Sequence, residues 1–335
     1  MIQLRGRRPP ADPSPGSGRG GGRAGRWARL ALLWLVVAAC ALTVASVIFN
    51  LATSPAPDRP PGLRFVRTGD LETRYRAWGT SGSPVVLVPG AFETADTYAA
   101  LGAQLGTHHR VYAIDLTGTG YSQAKGPFTV QHFAGQLLAF IKAMDLTGRN
   151  APVVVGHSSG AAVAGLAALH GGPRIAGIMF LDGDARPLRG PAFFKNLMID
   201  PYRTTLFRLG LSSDWVIRSI YSSQCGPRCA PLTHAGVETW RRPFQQPRAE
   251  NALWSILQTG IPSLTDSQLN ALRADRVAKS VVFGANDPQY SSESPAQVSA
   301  QIGAPRPTVV PGRHLTMIAS PQQLAAAIDA LISRA

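Results

Sequence analysis

Apolar residues follow two rhythms along this chain. Short runs at Pro84 to Val88, Arg110 to Asp115, Ala151 to Val155, Ile175 to Leu181, Val277 to Phe283 and Arg306 to Val310 are almost wholly apolar and rich in β-branched residues. Such runs suit strands buried on both faces. Longer stretches with helical spacing separate them: Thr94 to Leu105, Thr129 to Met144, Ala161 to about His170, Pro295 to Ile302 and Pro321 to Ser333. Ahead of these, Leu63 to Thr68 and Leu71 to Trp78 read as two antiparallel strands joined at Gly69-Asp70. Alternation at this spacing predicts an α/β fold, with a mostly parallel central sheet and helices on both faces. No internal repeat is visible.

Two stretches break the rhythm. From about residue 185 to 274 no clean buried strand occurs, but aromatics are frequent, among them Phe193, Phe194, Phe207, Trp215, Tyr221, Trp240 and Trp254. This reads as a helical insertion over the sheet's carboxyl edge. The other is Leu30 to Leu51, 22 residues without a charge, long enough to cross a bilayer as a helix.

Charge sharpens that second reading. The chain of 335 residues has a net charge of +14, and residues 1–29 hold seven Arg against one Asp. This Arg-, Gly- and Pro-rich arm is expected to be disordered. A transmembrane helix over 30–52 and a Pro-rich linker over 53–62 (Pro55, Pro57, Pro60 and Pro61) would follow, then a folded domain over 63–335. The positive-inside rule puts the arm in the cytoplasm and the domain outside as a single-pass membrane protein. A signal cleaved near Ala52-Thr53-Ser54, or a lipoprotein processed at Cys40, are the alternatives. Nothing interleaves aromatics with basic residues as a nucleic-acid surface would. The basicity fits attraction to anionic lipid or cell wall. Oligomeric state is not legible.

Candidate chemistry gathers where strands end. Val153-Val154-Val155 runs into Gly156-His157-Ser158-Ser159-Gly160, a G-x-S-x-G pattern, and then into an apolar, small-residue helix. Strand, tight turn and helix are the context in which such a serine stands exposed at the sheet's carboxyl edge. A serine hydroxyl needs a base, a group orienting that base, and donors for an oxyanion. His314 follows the last strand and so lies at the right edge; His157, inside the turn, reads as a packing residue. Asp287 follows Val281-Val282-Phe283-Gly284 and is the favoured acid; Asp182, after Leu181, is its rival. Asp115, ahead of a glycine loop, suggests a turn-stabilising role.

The chain order Ser158, Asp287, His314 resembles the α/β-hydrolase superfamily. Val85-Val86-Leu87-Val88-Pro89-Gly90-Ala91-Phe92 is similar to that family's oxyanion loop, with Pro89 where the family usually has His. Tyr112-Ala113-Ile114-Asp115-Leu116-Thr117-Gly118-Thr119-Gly120-Tyr121-Ser122 resembles its Asp-Leu-x-Gly-x-Gly-x-Ser loop. The match runs from about Leu63 to the C-terminus, and the insertion corresponds to the variable cap. The resemblance implies that Ser158 attacks a carbonyl, His314 acts as base and then acid, and Asp287 fixes the imidazole. Backbone N–H groups of Ser159 and Ala91, or of Phe92 if Pro89 alters the loop, would hold the oxyanion. Joined to the apolar helix ahead of the domain, it points to a membrane-anchored serine hydrolase, with no cofactor or metal, acting on carboxylic esters of lipids or small acyl compounds. A peptidase, thioesterase or carbon–carbon hydrolase, or a non-catalytic surface-binding module, are the alternatives. Cys225 and Cys229 could bridge a turn in the cap; a metal site with His234 is the lesser idea because it lacks a fourth ligand.

Overall fold

A computed structural model describes residues 21–56, 58–171, 174–187, 199–287 and 294–335. Phe193, Phe194 and Pro57, the arm before residue 21, and the residues just after Asp287 lie outside this set. The described residues fall into two units, those up to Ala52 and those from Thr53 onward.

The first unit is one helix, α1 (Gly21–Ala52). It starts nine residues before the expected Leu30, which corrects the boundary drawn for the disordered arm. Arg23, Ala24, Arg26, Ala28 and Arg29 are good helix formers, and no proline interrupts them. Gly25–Ala52 is long and apolar enough to cross a membrane by length and composition.

In the second unit, eight strands form one sheet in the order β1-β2-β4-β3-β5-β6-β7-β8. They are β1 (Arg64–Thr68), β2 (Leu71–Trp78), β3 (Pro84–Val88), β4 (Arg110–Ile114), β5 (Val153–His157), β6 (Gly177–Leu181), β7 (Ala278–Gly284) and β8 (Thr308–Val310). β1 and β2 pair antiparallel, as do β2 and β4; every later pairing is parallel. The three central strands β3, β5 and β6 are buried at every position, as their unbroken apolar runs require.

Helices cover both faces. α3 (Val130–Ala143) and α4 (Gly160–Gly171) pack on one side through Phe133, Leu137, Phe140 and Leu166. On the other side, α2 (Ala99–Leu105) joins Leu101 and Leu105 to the core around Val85, Leu87 and Val155. The N-cap of α3 is Thr129, whose hydroxyl accepts from the His132 N–H. Asp115 is fully buried at the end of β4, where its carboxylate accepts from the N–H groups of Ala95 and Tyr121 and pairs with Arg74. It pins the glycine loop.

Between β6 and β7 the described elements include five α-helices and no strand: α5 (Tyr202–Ser212), α6 (Asp214–Cys225), α7 (His234–Arg241), α8 (Ala249–Thr259) and α9 (Asp266–Ala274). Cys225 and Cys229 form a disulfide at the end of α6. The chain finishes through α10 (Pro295–Ile302), a short α11 (Thr316–Ala319) that the periodicity did not suggest, and α12 (Pro321–Ile332).

Candidate active site

The turn after β5 holds Ser158 at φ 51°, in the left-handed region. For a non-glycine residue this costs on the order of 1–2 kcal/mol. Local bonds hold it there: the Ser158 N–H donates to the Leu181 carbonyl at 2.8 Å, and the Ser158 carbonyl accepts from Ala161 at 3.0 Å. The flanking glycines are required by close approach. A Cβ on Gly156 would lie 2.2 Å from the Gly160 carbonyl oxygen, and one on Gly160 would lie 2.6 Å from that of Pro89.

The other predicted groups arrive from neighbouring strand ends. Asp287 follows β7 and His314 follows β8; both are buried, and His314 Nδ1 lies 2.9 Å from Asp287 Oδ2. An Nδ1–H donated to that carboxylate leaves Nε2 free to accept a proton. Ser158, Ser159 and His314 line one cavity, together with Asp182, Arg186 and Ile261. Among the described residues, no hydrogen bond joins Ser158 Oγ to the His314 ring. Such contacts are often long without substrate.

Asp182, the rival acid, lines the same cavity but is hydrogen-bonded to other groups. Its Oδ1 accepts from the Gly284 N–H at 2.6 Å, and its Oδ2 accepts from the Thr316 hydroxyl. It therefore ties β6 to β7 and α11. Burial pushes its carboxyl up to about 8; His157 pulls the other way and Asp287 adds to the push.

The loop after β3 touches the turn: a Cβ on Gly90 would lie 2.8 Å from Ser158 Cβ. The Ala91 N–H donates to Ser159 Oγ at 2.9 Å, an acceptor that an oxyanion would have to displace. Phe92, the alternative donor, is held at φ 68°.

Sequence reasoning missed Glu93 and underrated His157. Glu93 is buried; its Oε2 accepts from the Gly90 N–H at 3.0 Å and meets His157 Nδ1 at 2.7 Å. His157 Nε2 meets the His314 carbonyl oxygen at 2.8 Å. A carboxylate and a carbonyl can only accept, so both ring nitrogens donate and His157 is an imidazolium. Burial opposes that charge, but Glu93, Asp182 and the His314 carbonyl raise its pKa to about 9. For Glu93, burial acts upward, and the His157 charge and hydrogen bond outweigh it, leaving the carboxyl below its ordinary value. The His157 and His314 rings lie 4.7 Å apart, centroid to centroid. The buried pair thus grips the loop after β3 at one end and the His314 backbone at the other. A usable signal was an acid five residues past a wholly apolar strand, where a charge needs a partner.

Comparison with known proteins agrees with this architecture. N-formylmaleamate deformylase from Pseudomonas putida (strain KT2440) is 30% identical over 129 residues, 38% of this chain and 46% of that protein. The match thus spans less than half the length of this relative. Among solved structures, a thermophilic esterase from Thermogutta terrifontis superposes with a TM-score of 0.61 at 22% identity, covering 81% of this chain and 98% of that one. A membrane phospholipase A described as a bacterial virulence factor superposes with a TM-score of 0.62 at 17% identity, covering 92% and 98%. These two likenesses concern the fold. The model of the alpha/beta hydrolase family matches residues 85–327, and with a strained serine turn at its sheet edge this chain belongs to that family, as an enzyme of the serine-hydrolase type.

Proposed function

We propose that this protein is a membrane-tethered serine hydrolase that cleaves carboxylic esters through an acyl-enzyme on Ser158. The observation that carries the reading is one cavity lined by a left-handed serine and by a histidine whose other nitrogen is hydrogen-bonded to a buried aspartate. Ser158 Oγ attacks the ester carbon while its proton passes to His314 Nε2. The tetrahedral oxyanion takes the N–H groups of Ala91 and Ser159, and collapse expels the alcohol with the proton from His314. Water then attacks the acyl group by the same route and releases the acid. One oxyanion donor is typically worth roughly 10² to 10³ in rate. The apolar helix α1 serves as the tether, with the arm in the cytoplasm and the hydrolase outside.

A panel of p-nitrophenyl esters graded by acyl length tests the reaction and the pocket together. Turnover that rises with acyl length supports a lipid-like substrate; no turnover of any ester would remove the ester reading. The partial likeness to a deformylase favours a second reading, cleavage of an N-formyl amide on the same residues, so such an amide belongs in the panel. Absence of labelling by a fluorophosphonate would favour a non-catalytic module.

The two aspartates should separate cleanly. Asp287→Asn is expected to lower kcat by about 10⁴-fold, because it offers the imidazole the wrong tautomer. Asp182→Asn should chiefly lower the melting temperature, because its carboxylate holds β7 and α11 together. Full activity in Asp287→Asn would reassign the acid.

A further inference from the structure

Apolar side chains are exposed unevenly in the second unit. Of seven large ones exposed among its described residues, only Leu257 and Val309 lie outside residues 199–220. On α5, Phe207 turns inward against Phe244 and Trp254, with ring centroids at 6.1 and 5.7 Å, and Arg208 pairs with Glu250 at 2.6 Å. Leu206 and Leu209 are left exposed, at 61% and 48%. On α6, Ile217, Tyr221 and Cys225 are buried, and Trp215 and Ile220 stand out at 75% and 58%. Five of the seven thus fall within residues 199–220, and exposed apolar residues gathered in one stretch mark an interaction site.

The chain's own connection indicates which partner. Thr53 is the next residue after α1, and its hydroxyl accepts from Arg208 Nη1 at 3.1 Å. Five residues on, the Asp58 carbonyl accepts from Gln246 Nε2 at 2.7 Å. The Pro-rich linker is thus bonded to the cap at Thr53 and Asp58. Arg208 of α5 is therefore bonded to the first residue that follows α1 in the chain. If α1 spans a bilayer, as the tether reading holds, lipid headgroups begin there too.

We propose that the outward side of α5 and α6 docks on the bilayer that receives the chain's own apolar helix, with Trp215, Leu206, Leu209 and Ile220 seated at the headgroup boundary. An amphipathic indole beside aliphatic side chains is suited to that depth. The cap would then meet acyl substrates held in the membrane without their crossing water. The inference rests on the tether reading, and its test separates the two.

The full-length chain carrying Cys40→Ser and Ser219→Cys, labelled at residue 219 with an environment-sensitive fluorophore, is reconstituted in phosphatidylcholine/phosphatidylglycerol vesicles. Lys142→Cys, at an exposed position of α3, is the reference site. The expected result is blue-shifted emission at 219, quenched by brominated lipid, and water-like emission at 142. Equal, water-like emission at both sites in a chain that resists alkaline carbonate extraction would overturn the docking and leave the tether standing. A chain that washes off overturns both. Shielding at 219 that persists in detergent together with a doubled particle mass would assign the face to a second copy and overturn the lipid assignment. Trp215→Ser should lower turnover of vesicle-borne esters at least about tenfold, the equivalent of ~1.4 kcal/mol, with turnover of water-soluble esters unchanged; equal loss on both would also overturn it.

Discussion

Ser158→Ala is expected to lower ester turnover by at least about 10⁴-fold while leaving the fold intact. The loss is large because the nucleophile cannot be replaced by water held at the same place, and what survives comes from binding and the oxyanion donors. The fold should tolerate the change. Alanine at φ 51° carries the same backbone strain as serine, and the bonds that hold the turn run through the backbone N–H and carbonyl of residue 158. Purified variant and wild type are compared by p-nitrophenyl ester turnover, fluorophosphonate labelling and thermal melting. Unchanged turnover with an intact melting curve would remove the assignment of Ser158.

Glu93→Gln is expected to have the largest effect on stability. It leaves the buried His157 imidazolium without its counter-charge, and breaking a buried pair in this way costs about 3–5 kcal/mol. For a domain of this size that corresponds to a fall in melting temperature of roughly 6 °C or more. The pH dependence has a definite sign. His157 is raised from 6.5 to about 9, so its contribution is complete below 6.5 and is lost as pH rises through about 9. Glu93 lies below its ordinary 4.5, so its contribution is complete above that value and is lost as pH falls through the lowered one. Asp182, raised from 3.8 to about 8, also favours the fold less as pH rises through that interval. Wild-type melting temperature should therefore decline between pH 6.5 and 9, and the Gln variant should show a shallower decline, kept from flatness by Asp182. Identical slopes in calorimetry would show that Glu93 and His157 do not share a charge. Because His157 also holds the His314 carbonyl, kcat should fall in the same variant at temperatures well below its melting point.

The elements were legible wherever one physical demand dominated. Val85 to Val88 and Val153 to Val155 have no polar face, so they could only be central strands, and the order of strands and helices followed from them. Pro295 to Ile302 was readable because Pro stands at its first turn. Boundaries slipped where no residue forbids continuation, as at Gly21 ahead of the apolar helix. The serine turn could be read from its two glycines, since local steric demand is written in neighbouring residues.

What the chain determined unaided was therefore local: periodicity, strand and helix order, the turn at Ser158, and a 22-residue uncharged stretch. Tertiary structure decided the pairings. Asp287 and Asp182 both follow strands, and only the packing of β7 against β8 aims one at His314 while Thr316 and Gly284 occupy the other. Glu93 and His157 are 64 residues apart, and each becomes an ion because the other is buried beside it. A hydrogen bond between distant side chains depends on the positions of whole elements, and hydrophobic pattern carries no record of that.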